Sequence, residues 1–303
     1  PRGLFSVLER IAPRPAGRLA FRLFSRTPDP ARPGAREREA IAPFRPFMEE
    51  GRLHRLRGGA HWFAAHVFKP LVGAGCGRAA LVLHGWASRS DHMGPVVMQL
   101  RAAGYRVDVL DLPGHGASPG RSLNMVSAVA ACNEAALWFG PFDVVVGHSF
   151  GGAVALNAIV GSVAPFAPLP TERLVMIAAP NSMPDFFSGF SRLLGLEPRI
   201  RAALDARVEV LSGTPLERFV GARQLAETDV ATLILHASDD REVLPENATA
   251  MAGAGDHVAL EWVPGAGHRR ILSDARALEA LMRFVDGDVA GLATRLMARR
   301  SAV

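Results

Sequence analysis

The sequence predicts the α/β class: one mostly parallel, doubly wound sheet with a short helical cap and an N-terminal helical arm. Three observations predict it. Short β-rich runs alternate with longer helical patterns from residue 61 onward. Several of those runs are apolar throughout, as strands covered on both faces must be. One interval, about 50 residues from Ala179 to Val230, breaks the rhythm with apolar residues of its own.

Residues 1–57 hold 13 Arg against 6 acidic residues (+7), and residues 58–303 hold 21 basic against 23 acidic (−2), within a net charge of +5. The basicity therefore belongs to the N-terminus. From Leu4 to Phe24, apolar residues such as Phe5, Leu8, Phe21 and Phe24 interleave with Arg10, Arg14, Arg18 and Arg22. Two readings of this stretch are open: a basic amphipathic helix on an anionic membrane surface, or a helix packed on the domain with its arginines in water. The second is the default, and peripheral membrane contact is the lesser expectation. Glu9, Arg10, Pro13 and Pro15 interrupt the stretch, so it does not read as a secretory signal. Residues 25–36, rich in Pro and Arg, read as an extended connector.

Strands are expected at His61–Phe68, Ala79–His84, Arg106–Asp111, Asp143–Gly147, Leu174–Ala178, Thr232–His236 and Val258–Val263. Helices are expected at about 92–103, 122–139, 150–160, 245–252 and 273–286, with Gly104 and Gly140 as helix stops. The uncharged run 144–171 would suit a membrane span in length, but Gly147, Gly151, Gly152 and the prolines at 165, 168 and 170 argue against it. The organisation that results is a basic arm and connector over 1–57 and one domain over 58–303, with a helical cap inserted at about 181–229.

Composition excludes several functions. Lys69 is the only lysine among 34 basic residues, so no phosphate-binding loop lysine is available at the required spacing. Ten histidines include no H-E-x-x-H pair, and Cys76 and Cys132 make no cluster, so no metal and no cofactor are expected. Two cysteines also suit a reducing, cytoplasmic setting. The basic arm contains no recognisable nucleic-acid module, so no nucleic-acid partner is expected.

The chemistry is concentrated in three places. Gly147-His148-Ser149-Phe150-Gly151 follows an apolar strand and precedes an apolar helix, the context in which G-x-S-x-G places a serine on a sharp turn above a sheet. A serine hydroxyl needs a base within reach, and the base needs an orienting acid. His268 lies in the Gly-rich loop after the last predicted strand, and Asp240 lies just after the strand Thr232–His236. The order Ser149, Asp240, His268 is that of nucleophile-elbow hydrolases.

Two further turns join these: His84-Gly85-Trp86, and Asp111-Leu112-Pro113-Gly114-His115-Gly116-Ala117-Ser118. With them the chain resembles the α/β-hydrolase superfamily, in its small esterase- and lipase-like members, over roughly residues 60–286. The resemblance implies an oxyanion hole made by the backbone N–H groups of Trp86 and Phe150. It implies a serine hydrolase acting on a small carboxylic ester or related acyl compound through an acyl-enzyme, and the hydrophobic cap and Trp86 suggest an apolar acyl or alcohol portion. Thioester cleavage, acyl transfer and C–C hydrolysis use the same triad, and a non-catalytic binding protein on this scaffold is the alternative outside enzymes. Two departures touch the acid. Ala237 stands where many relatives have glycine; three residues onward is Asp240, with Asp239 as its competitor. Asn181 stands where some relatives carry the acid, and Asp185 lies further along. His148, His84, His115 and Asp111 are expected to pack or brace turns, and Arg269 and Arg270 to lie at the surface.

Overall fold

Eight strands form one sheet in the order β1-β2-β4-β3-β5-β6-β7-β8, where β1 is Arg52–Gly58, β2 His61–Phe68, β3 Ala79–Leu83, β4 Arg106–Asp111, β5 Val144–His148, β6 Arg173–Ile177, β7 Ala231–His236 and β8 Val258–Trp262. This is a computed structural model, and it describes residues 2–32, 34–71 and 77–287. Cys76 and residues 288–303 lie outside the described residues. β1 pairs antiparallel with β2 and β2 with β4; every other pairing is parallel. β3, β5 and β7 are buried along their whole length, which is why they read as continuous apolar runs.

The strand missing from the sequence reading is β1. It carries Arg52, Arg55 and Arg57, and its outermost residues are exposed at the sheet edge, where charge discourages pairing with another chain. The hairpin to β2 turns at Gly59-Ala60, with Gly58 opposite His61. Gly58-Gly59 ahead of an apolar run was the available turn signal.

Helices cover both faces. In chain order they are α1 (Arg2–Ile11), α2 (Pro13–Phe24), α3 (Ala35–Ile41), α4 (Arg45–Glu49), α5 (Gly94–Ala102), α6 (Met125–Phe139), α7 (Phe150–Ile159), α8 (Met183–Leu194), α9 (Pro198–Ser212), α10 (Gly221–Leu225), α11 (Glu246–Ala252), α12 (Gly267–Arg270) and α13 (Ala275–Asp286). One core, with Leu81, Val129 and Val154, lies under α6 and α7; the other, with Val82, Leu100 and Phe284, lies under α5 and α13. α6 starts on a capping box in which Asn124 and Ser127 satisfy each other's backbone amides.

The interval between β6 and β7 holds α8, α9, a 3₁₀ turn and α10. The N-terminal helices pack against it. Ala16, Gly17 and Ala20 of α2 are buried, and Phe5 of α1 is 1% exposed, so the apolar stripe of the arm faces protein. Arg10, Arg14, Arg18 and Arg22 are exposed. Beyond α2, residues 25–32 are irregular, tied down where Arg26 bridges Ser122. Among the described residues no helix is long and apolar enough to cross a membrane.

Candidate active site

The chain runs from β3 outward to β4, then crosses to β5 on the other side of β3, so the strand order switches direction between β3 and β5. Loops diverge at such a point and leave a crevice at the carboxyl ends of the strands. Ser149 follows β5 there, and Gly85-Trp86 follows β3.

Ser149 sits at φ 52°, ψ −124°, a conformation that costs a non-glycine residue free energy and persists only where its surroundings enforce it. The enforcement is steric. A Cβ on Gly147 would lie 2.3 Å from the Gly151 carbonyl oxygen, and one on Gly151 would lie 2.5 Å from the carbonyl oxygens of Leu83 and His84. Strand and helix therefore approach at backbone distance. The Ser149 N–H donates to the Ile177 carbonyl at 2.8 Å, anchoring the turn to β6.

The Ser149 hydroxyl lies 3.0 Å from His268 Nε2, and His268 Nδ1 lies 2.7 Å from Asp240 Oδ2. The imidazole thus accepts from the serine hydroxyl and donates its other N–H to the carboxylate. Burial alone would raise the Asp240 pKa, but the His268 hydrogen bond and the N–H groups of Val243 and Glu242 outweigh it and hold the carboxyl below its ordinary value. His236 Nε2 stands 3.6 Å from the same Oδ2 while donating to the Val243 carbonyl. Asp239 points elsewhere: it accepts the N–H groups of Gly265 and Gly267, holding the loop that presents His268.

Phe150 is the first residue of α7, so its N–H has no partner within the helix. A Cβ on Gly85 would lie 2.9 Å from the Ser149 Cβ, which brings the Gly85-Trp86 turn against the serine. The Trp86 and Phe150 rings meet edge to face, centroids 5.5 Å apart.

Three other histidines brace the crevice. His148 Nε2–H donates to the His268 carbonyl at 2.9 Å, and burial, with the neighbouring His268, pushes its pKa down to about 3. His84 donates to Gly85 and accepts the Leu112 N–H; burial pushes it to about 3 as well. His115 accepts the Ala87 N–H and donates to Pro113. Asp111 is a buried hub: it accepts from Ser90, Ala117 and His66, and these hydrogen bonds overcome burial and hold it well below the carboxylate range. Arg269 pairs with Glu242 at the surface, and Arg270 donates to the Gly265 carbonyl. No group of three or more His, Cys, Asp or Glu among the described residues could hold a metal ion.

Above the serine opens a cavity of about 710 Å³, the size of a small-molecule site. Its lining is mostly aromatic and aliphatic, including Trp86, Phe150, Phe187, Phe190 and Phe219, with polar residues such as Asn124, Glu242 and Arg269. The sequence reading had not foreseen that Phe21, Phe24 and Phe44, from the N-terminal segment, line it too.

The sequence profile of the alpha/beta hydrolase family matches residues 80–281, two thirds of the chain, a span that includes Ser149, Asp240 and His268 but not the N-terminal residues that line the cavity. The chain belongs to that family. Among curated relatives of this α/β hydrolase is the pimeloyl-[acyl-carrier protein] methyl ester esterase of Xanthomonas campestris pv. campestris, 30% identical over 251 residues, covering 70% of this chain and 96% of that one. Among solved structures, an esterase from Exiguobacterium antarcticum superposes with a TM-score of 0.56 at 18% identity, covering 77% of this chain and 99% of its own. The thioesterase domain from the curacin biosynthetic pathway superposes at 0.53 with 18% identity, covering 78% and 98%. At such identity the structures speak for the fold, which hosts both chemistries.

Proposed function

We propose that this α/β hydrolase cleaves a carboxylic ester with an apolar acyl part, through an acyl-enzyme on Ser149. The observation that carries the reading is the hydrogen-bonded series Asp240–His268–Ser149 at the floor of an apolar cavity. The relative named for a pimeloyl-[acyl-carrier protein] methyl ester supports an acyl ester as the substrate class.

In the first half-reaction Ser149 Oγ attacks the ester carbonyl while its proton passes to His268 Nε2. Asp240 keeps the imidazole in the tautomer that leaves Nε2 free to accept, and its charge steadies the imidazolium that forms. The Trp86 and Phe150 amides receive the oxyanion; each such donor is worth about 3 kcal/mol in the transition state. His268 then gives the proton to the departing alkoxide. In the second half-reaction a water attacks the acyl-serine, losing its proton to His268, which returns it to Ser149 as the acid leaves. A cytoplasmic setting belongs to the same reading, supported by the low cysteine count, two in the whole sequence.

The test is turnover of an aryl ester panel by wild type and Ser149→Ala, with fluorophosphonate labelling in parallel. Turnover by the variant is expected to fall by about 10⁴-fold or more with folding intact, and labelling to vanish. Undiminished hydrolysis by the variant overturns the reading.

A further inference from the structure

The cavity has a wall from outside the family match. Phe21, Phe24, Ala40 and Phe44 line it together with Ser149 and His268, yet all four precede residue 80, where the match begins. We propose that Phe24 is a specificity-determining residue: α2 holds its ring in the cavity to set how long an acyl chain fits. The proposal rests on the ester reading and adds the residue that measures the substrate.

Phe24 is the last residue of α2 and the meeting point of an aromatic row. Its ring centroid lies 4.1 Å from Phe187, 5.1 Å from Phe190 and 6.5 Å from Trp86, whose own ring stands against Phe150 beside the serine. It therefore joins the serine end of the cavity to the two α8 rings at the cap end.

The ring can act as a gauge only if its helix is fixed, and three independent ties fix it. The Glu9 carboxylate, in α1, accepts the Arg199 and Ile200 N–H groups at 2.9 and 3.0 Å, capping the N-terminus of α9 where the helix dipole favours an anion. Gly17 allows α2 to meet α9 at backbone distance, since a Cβ there would fall 2.7 Å from the Ala203 carbonyl carbon. Immediately after Phe24, the Leu123 N–H donates to the Ser25 carbonyl at 2.9 Å and the Thr27 N–H to the Arg121 carbonyl at 3.2 Å. Phe24 is thus pinned from both sides along the chain, while its ring remains only partly buried and faces the cavity.

The measurement is the ratio of kcat/KM for long over short p-nitrophenyl esters, acetyl through palmitoyl, on wild type, Phe24→Ala, Phe24→Leu and Phe24→Trp. A ratio within one preparation is independent of the fraction folded. Each additional methylene that the cavity can bury is worth about fourfold. Phe24→Ala is expected to move the optimum about two carbons or more toward longer chains and Phe24→Leu less far in the same direction. Phe24→Trp is expected to move it toward shorter ones. A ratio unchanged in all three variants, or moved the same way by Ala and Trp, overturns the proposal. Should wild type hydrolyse no ester, the function reading fails, and the gauge is read by displacement of a fluorescent fatty acid with carboxylates of graded length. A displacement ladder shifted to longer chains by Phe24→Ala sustains the gauge, and identical ladders overturn it.

Discussion

The cavity is bounded on one side by the turns after β3, β5, β7 and β8, and on the other by the cap helices and the N-terminal segment, and the strand side and the N-terminal side are held by different means. On the strand side, backbone meets backbone: Gly147 and Gly151 leave no room for a methyl group, and His148 and His84 are each locked by a hydrogen bond to a backbone carbonyl. On the helical side, Phe21, Phe24 and Phe44 reach the cavity as side chains, the first two from α2, which is tied to the body by a close helix crossing, a short bridge and, through α1, a cap. The first arrangement holds Ser149 and Asp240 each within hydrogen-bond distance of His268 and tolerates little change. The second fixes a volume and can be altered by degrees.

The contrast is most exposed to failure at Asp240, the acid of the proposed triad. Asp240→Asn is expected to lower kcat by about 10⁴-fold, because an amide favours the wrong imidazole tautomer, while Asp239→Asn costs about tenfold or less through a looser Gly265–His268 loop. Equal losses in steady-state kinetics would make Asp239 the partner of the base. Next in size is Gly151→Ala. The clash with two carbonyl oxygens at 2.5 Å is expected to destabilise the fold by about 4 kcal/mol or more in urea unfolding, whereas Phe24→Ala leaves a cooperative transition. A Gly151→Ala protein as stable as wild type would mean the strand side is as adaptable as the other.

Acid separates the sides further. His148 and His84 titrate at about 3 in the folded protein against an ordinary 6.5, so the unfolded chain binds more protons between those values. Stability therefore falls as pH drops below about 6.5, by up to about 1.4 kcal/mol per pH unit for each histidine. His148→Gln, which still donates to the His268 carbonyl, is expected to flatten that slope in melts between pH 6.5 and 4; an unaltered slope would mean the ring charges at no cost. The smallest effect lies on the helical side. Glu9→Ala is expected to cost about 1 kcal/mol through the lost α9 cap, read as a fall of a few degrees in Tm. No change would leave the Gly17 crossing and the Ser25–Leu123 bond as the ties that matter.

Much of the strand side was legible in advance. Seven of the eight strands show themselves as β-rich runs, the most apolar being those covered on both faces such as β3, β5 and β7, and Ser149, Asp240 and His268 each come within a few residues after one. β1 escaped because an edge strand rich in arginine has no apolar run to display. Asp240 and Asp239 are adjacent and chemically identical; only the fold shows that one carboxylate turns toward His268 and the other toward the amides of Gly265 and Gly267. Phe24 was visible only as a member of an amphipathic stripe, since periodicity says that a face is buried without saying what it is buried against.

The amino-acid order thus decides the elements and the chemistry of their ends, because periodicity, turn residues and the types of side chain are properties of short stretches. Which elements share a cavity is decided by packing between segments far apart in the chain. Phe24 and Phe187 are separated by 163 positions, yet their ring centroids are 4.1 Å apart, and only the docking of α2 on α9 brings them together.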